Sequence, residues 1–222
     1  MGEESLVNPF FVSSMSRKSE VARRISESAN FWLRGATSTD LMQLAEILTM
    51  SFHSRKGFLR WIYPLFRLGI YEDLRNRLRS PLEQYVCLVA EVIPTLEERE
   101  IFGSELDDVL AGTVEMTVRS RHLWQFPGLQ YPYLSNLAVH PDYRRRGVAQ
   151  QLLCNCEETA LEWGFTEIYL HVLENNHGAR RLYYQLGYRL EHIDSSWLSG
   201  LLGKPRRFLL RKHIGGGLII NV

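Results

Sequence analysis

The chain has 222 residues, 45% of them hydrophobic and 23% charged, with a formal net charge of +1. That length buries a self-sufficient core. The near-neutral charge gives no bulk electrostatic hold on nucleic acid or an anionic membrane, and the longest apolar runs fall short of the roughly 20 residues a membrane helix needs. Cys87, Cys154 and Cys156 are too few for a disulfide framework and match no metal spacing. They read as reduced core thiols of a cytoplasmic protein without a bound metal.

Residues 1–30 read as a polar extension. They hold no continuous apolar segment like a signal peptide, and Glu3, Glu4, Glu20 and Glu27 argue against an organellar transit peptide. Phe31–Thr37 reads as a short strand. Thr37 and Asp40 then have the spacing of a capping box, and Leu41, Leu44, Ala45 and Leu48 share one helical face. Arg55–Ser80 reads as one or two helices, interrupted at Pro64. The β-branched run Gln84–Ile93 is a strand bounded by prolines, and Val109–Val118 is a second. Between them lies a polar insertion, Pro94–Asp108, in which Glu97, Glu98, Glu100, Glu105, Asp107 and Asp108 face Arg99 alone.

A second insertion, Arg119–Pro132, is rich in aromatic residues and precedes a strand over Tyr133–Val139. The pattern continues as a helix over Gly147–Trp163, a strand over Thr166–Leu173 and a helix over Asn176–Leu186. Tyr188–Asp194 and Arg206–Ile214 read as a terminal antiparallel pair joined by the loop Ser195–Pro205, and residues 215–222 as a flexible tail. The order β-α-α-β-β-β-α-β-α-β-β has one strong β-α-β crossover. It predicts an α+β layered domain over residues 31–214 rather than a doubly wound sheet.

Arg144, Arg145 and Arg146 run into Gly147 at the start of a helix, where the macrodipole already presents partial positive charge. The arrangement is unfavourable unless an anion completes it. Helix N-termini offer unpaired N–H groups to phosphates; Gly147 lets the backbone approach such a ligand, and the small Ala149 keeps the first turn open. No Lys-Ser/Thr follows, so this is no Walker loop, and Ala149 breaks the G-x-G-x-x-G pattern.

Arg144-x-x-Gly147-x-Ala149 resembles the pyrophosphate loop of the GNAT superfamily of N-acetyltransferases, Gln/Arg-x-x-Gly-x-Gly/Ala. Downstream, Asn176, Ala179, Tyr183, Gly187 and Tyr188 match that family's second signature, in the same order and spacing. The resemblance covers Trp32 to Ile214, apart from the two insertions. It implies a GNAT-like layered fold, with a mostly antiparallel mixed central sheet flanked by helices. It also implies acetyl-CoA as co-substrate. The backbone of Leu137, Ala138 and Val139 would pair with the pantetheine arm. Arg144 and the amides of Arg145, Arg146, Gly147, Val148, Ala149 and Gln150 would hold the pyrophosphate. Asn176 would bond the CoA arm, with a helix N-cap as its other reading.

Acetyl transfer to an amine needs a proton acceptor, because an ammonium titrating near ~10 is not nucleophilic. It needs a donor for the oxyanion, which a backbone N–H around Ala138 or Val139 could supply. It also needs an acid for the departing thiolate. Tyr183 takes the last role by resemblance, although Ala179, Leu182, Tyr183 and Leu186 also form a core-type face. Where relatives that modify protein N-termini often carry a glutamate, this chain has His171, able to accept a proton at neutral pH. It reads equally as a hydrogen-bonded sheet histidine. Glu174, Tyr133 and Glu115 are the weaker candidates.

For the acceptor, Trp61, Tyr63, Phe66 and Tyr71 either line a pocket or simply pack. The helices of Arg55–Ser80 and the two insertions are similar to those of the longer acetyltransferases of cyanobacteria and plastids, which act on protein lysines and N-termini. The expected activity is acetyl transfer from acetyl-CoA to a primary amine, a protein lysine or N-terminal amine first. A small amine or antibiotic as acceptor, or a degenerate acetyl-CoA-binding sensor, are the alternatives, and a homodimer is left open.

Overall fold

The computed structural model describes residues 30–52, 63–79, 84–94, 100, 109–123, 126–194 and 205–215. Most of the N-terminal extension, most of the acidic insertion, the loop after residue 194 and the last seven residues lie outside that set. A seven-stranded sheet runs through the molecule. Its strands are β1 (Asn30–Gly35), β2 (Tyr85–Ile93), β3 (Leu110–Leu123), β4 (Phe126–Val139), β5 (Glu167–Leu173), β6 (Arg189–Asp194) and β7 (Arg207–His213). The order across it is β1-β2-β3-β4-β5-β7-β6. Only the β4–β5 junction is parallel. The α-helices among the described residues are α1 (Leu41–Phe52), α2 (Tyr63–Arg79), α3 (Val148–Glu162) and α4 (His177–Gln185).

Alternation along the strands separates two apolar layers. Leu88, Ala90, Val114, Met116, Leu134, Ile168 and Leu170 face α3 and α4, where they meet Leu152, Leu153, Cys156 and Tyr183. On the opposite face Cys87 and Val89 pack under Leu44, Leu48 and Leu74 of α1 and α2. α1 starts as expected: Asp40 reaches back to accept the Thr37 N–H at 2.7 Å, and its carboxylate also takes Arg34 at 2.7 Å.

Two expectations are corrected, on the second insertion and on Cys154. Arg119–Pro132 is not an insertion between elements; β3 and β4 run on through it as one long hairpin, with Arg119 opposite Tyr131 and Val118 opposite Pro132. Among its described residues Arg119, Ser120 and Gln130 are exposed, so the buried face that would show a period of two has little contrast there. Of the helical stretch read over Arg55–Ser80, residues 55–62 lie outside the described set, and Pro64 stands at the start of the part that is described. It lies in the first turn of α2, where the N–H it lacks would have no partner. Of the three thiols, Cys87 and Cys156 are buried but Cys154 is exposed, because residues two apart on a helix cannot both face one core.

Candidate active site

β4 and β5 pair only at Tyr133–Tyr169 and Leu134–Leu170. Beyond that contact the strands part, and a fork opens between Ser135–Val139 on one side and His171–Leu173 on the other. A bulge helps β4 turn away from β5. Asn136 sits at φ +52°, and the β3 register slips between Thr113 and Glu115. Glu115, 1% exposed, fastens the bulge by accepting Asn136 Nδ2 at 2.8 Å and Arg77 Nη1 of α2 at 2.7 Å.

Past the bulge, strand alternation decides which amides face the fork. The His140 N–H donates to the Ala111 carbonyl of β3 at 2.8 Å. Ala138, two residues back and opposite Thr113, therefore also turns its N–H and carbonyl toward β3. Val139, and Leu137 by the same alternation, turn theirs into the fork. The end of β4 lies tight on its neighbours: a Cβ on Gly112 would be 2.8 Å from the Ala138 carbonyl oxygen and 3.0 Å from Val148 Cγ1. That glycine carries no sequence motif, and only the packing exposes its role.

At the outer end of the fork stands the basic turn. Arg145 has φ +67° and Gly147, the N-cap of α3, has φ +84°. The first is uncommon for a residue with a Cβ, and strain of this kind gathers at ligand-binding loops. The space where a Cβ of Gly147 would sit is open. Arg144 Nε donates to the Val139 carbonyl at 3.1 Å and closes the turn onto β4. Arg146 is half-buried, and its Nη1 has no hydrogen-bond partner among the described residues. An orphaned guanidinium nitrogen, two left-handed residues and a free helix N-terminus fit a diphosphate.

The inner end of the fork holds the titratable groups. Tyr133 donates or accepts at 2.8 Å with His171 Nδ1, and His171 Nε2 lies 3.0 Å from Asp194 Oδ2 of β6. The Arg119 guanidinium covers the Tyr133 ring at 3.5 Å from its centroid. Burial, and then Arg207, lower the His171 pKa below its usual 6.5, while Asp194 pulls it back up. Tyr183 is 7% exposed and stacks edge-on with Tyr188 at 5.6 Å. Burial, and next the proximity of Tyr133, push its phenol well above the ordinary value, so it keeps its proton at neutral pH. Asn176 caps α4 by accepting the Ala179 N–H at 3.2 Å, which leaves its amide nitrogen to donate elsewhere.

The fork thus brings Tyr133 and His171 to one end and the arginine turn to the other, with Tyr183 of α4 buried in the core close enough to Tyr133 to feel it. Of the weaker base candidates, Tyr133 sits on His171 itself, and the two carboxylates are committed elsewhere. Glu174 pairs with Arg206 at 2.5 Å, which holds its carboxyl below the usual range, and Glu115 is locked between Arg77 and Asn136. Asp194 escaped the sequence reading because its partner is 23 positions away on a strand that is not adjacent to its own.

The family model of the acetyltransferase (GNAT) family matches residues 64–188, and the chain belongs to that family. Among curated proteins it is 33% identical over 157 residues to GCN5-related N-acetyltransferase 10, chloroplastic, of Arabidopsis thaliana, a match covering 69% of this chain and 59% of that protein. To GCN5-related N-acetyltransferase 7, chloroplastic, of the same plant it is 30% identical over 144 residues, covering 61% and 49%. The chain spans about half the length of the curated relatives it matches. Two solved structures share the fold. The PaiA N-acetyltransferase of Thermoplasma acidophilum, in complex with coenzyme A, superposes with a TM-score of 0.59 at 20% identity, over 83% of this chain and 99% of that one. Arabidopsis thaliana NAA60, in complex with acetyl-CoA, gives 0.58 at 19%, over 84% and 100%.

These relatives overturn the cytoplasmic placement, since those matched in sequence are chloroplastic proteins. Free thiols report a reducing compartment and do not tell one reducing compartment from another.

Proposed function

We propose that this protein transfers an acetyl group from acetyl-CoA to a primary amine, with a protein lysine or N-terminal amine as the acceptor. The observation that carries the reading is the β4–β5 fork, with a built anion turn at one end and the hydrogen-bonded Tyr133–His171 pair at the other. Acetyl-CoA supplies an activated thioester. Arg146 and the amides from Arg145 to Gln150 hold its diphosphate, and the inward N–H groups of Leu137 and Val139 align its arm along β4. The Val139 N–H faces the negative charge that develops on the carbonyl oxygen. Ala138, whose amide is turned to β3, contributes the close approach of β4 to Gly112 instead.

The neutral His171 is the proton acceptor for the incoming ammonium, through the Tyr133 hydroxyl. Tyr183, held protonated by burial, donates to the departing thiolate. Asn176 serves both as N-cap of α4 and, through Nδ2, as a donor to the pantetheine. The setting the relatives support is a plastid.

A thiol-release assay with acetyl-CoA tests this, run against peptides with free N-termini, lysine peptides with blocked N-termini and small amines. Release with either peptide class is the expected result. Release with small amines alone would move the acceptor to a small molecule, and binding of acetyl-CoA without release to any amine would leave a binding module.

A further inference from the structure

Asp194 is the last residue of β6, and its carboxylate reaches across β7 to the His171 ring on β5. Arg207 stands directly opposite it in the β6–β7 register. Yet the pairs Asp194 makes among the described residues are with His171 at 3.0 Å and, more loosely, with His192 at 3.9 Å. A half-exposed aspartate that leaves the facing arginine for a half-buried imidazole marks a specific contact.

We propose that Asp194 is a positioning residue for the proton acceptor: it holds the Nε2–H of His171, so that the Nδ1 lone pair faces the Tyr133 hydroxyl. The inference rests on the reading of His171 as acceptor and adds what sets its tautomer and strength. A carboxylate accepts only, so Nε2 must carry the hydrogen. Nδ1 is then bare and accepts the Tyr133 O–H at 2.8 Å. The lone pairs of the phenol oxygen are left for the amine. In the transfer, an N–H proton of the ammonium passes to the Tyr133 oxygen as the phenol proton passes to His171 Nδ1. The product is an imidazolium whose Nε2–H faces Asp194; no proton reaches the carboxylate, and solvent later takes the one on Nδ1. The logic is that of an aspartate behind a catalytic histidine in hydrolases, with a phenol in the place of the serine.

The charged and titratable groups around His171 bear on its titration from every side. Arg119 approaches from β3, Tyr133 from β4, Arg207 from β7, and Asp194, with His192 behind it, from β6; Tyr183 of α4 lies beyond Tyr133. Both arginines and burial oppose the imidazolium, and Asp194 is the group that favours it. Its removal weakens the base.

The test begins without any acceptor. Long-range nitrogen–proton NMR of the free protein labelled at histidine reads both tautomer and pKa of His171. Wild type should show the Nε2–H tautomer, and Asp194→Asn should lower the pKa by about one unit, the small end for an opposite charge because the carboxylate is half-exposed. A Nδ1–H tautomer in wild type, or an unchanged titration in Asp194→Asn, overturns the proposal. So does a loss of melting temperature with the titration unmoved, which would make Asp194 only a clip between strands.

With acetyl-CoA and a pool of peptides carrying free N-termini and lysines, Asp194→Asn should lower kcat about tenfold or more and move the rise of the pH profile to lower pH. In a His171→Gln background it should have no further effect. If His171→Gln alone keeps wild-type kcat and pH profile, the acceptor reading itself fails, whatever the NMR shows of Asp194.

Discussion

Gly147 and Gly164 make a matched pair for testing the anion turn. The first is the N-cap of α3 at φ +84°; the second follows the other end of the same helix at φ +85°. Neither has anything within 4 Å of an added Cβ. Replacement of either by glutamate should therefore cost a similar amount in the free protein, about 1–2 kcal/mol for placing an L-residue in the left-handed region. In a chain of this length that is a fall of roughly 2–8 °C in melting temperature. The two variants should separate when acetyl-CoA is added. At about a hundred times its Kd, a ligand contributes roughly 2.7 kcal/mol of stability, which at ~2–4 °C per kcal/mol is a rise of ~5–11 °C. Wild type and Gly164→Glu should both show the rise. Gly147→Glu should not, because its carboxylate enters the space reserved for the diphosphate. Differential scanning calorimetry with and without acetyl-CoA reads all six conditions. A full rise in Gly147→Glu, or its loss in Gly164→Glu, would refute the placement of the diphosphate at the start of α3.

Tyr183→Phe keeps the ring stacked on Tyr188 and removes only the hydroxyl, so kcat should fall about 10²–10⁴-fold with acetyl-CoA stabilisation intact; wild-type kcat would leave Tyr183 as core alone. Wild-type kcat/KM should rise with pH through an ionisation below the ordinary histidine value, since the neutral imidazole is the active form and burial lowers its pKa; His171→Gln should abolish that step, and persistence of the step would put the acceptor elsewhere. Gly112→Ala would force a Cβ against the Ala138 carbonyl oxygen and Val148. It should lower the urea midpoint by an amount equivalent to about 1–3 kcal/mol and also weaken acetyl-CoA binding; an unchanged midpoint would mean that β4 and α3 are not held by that contact.

The elements with strong local grammar were legible in the chain. The helix after Gly147, the helix capped by Asn176 and the strand before it lie within a residue or so of where periodicity and capping place them, because 3.6- and 2-residue patterns and caps are written in neighbouring residues. The turn itself was legible for the same reason: three arginines run into a glycine at a helix start, a pattern written in neighbouring residues. The long β3–β4 hairpin was not, since the exposure of Arg119, Ser120 and Gln130 leaves little contrast between its faces there. Nothing local could show that β7 enters between β5 and β6, or that β4 and β5 part after Leu134. Strand order and splay come from the packing of both faces at once. The same holds for the site's inner end. His171 was a histidine on a strand with two equal readings, and its neighbours, Tyr133 at one ring nitrogen and Asp194 at the other, appear only in the fold. Sequence by itself determined the helix, the turn and the residue types that chemistry would need. The tertiary structure alone decided which of them meet, because a hydrogen bond is made across space by residues whose separation along the chain carries no signal.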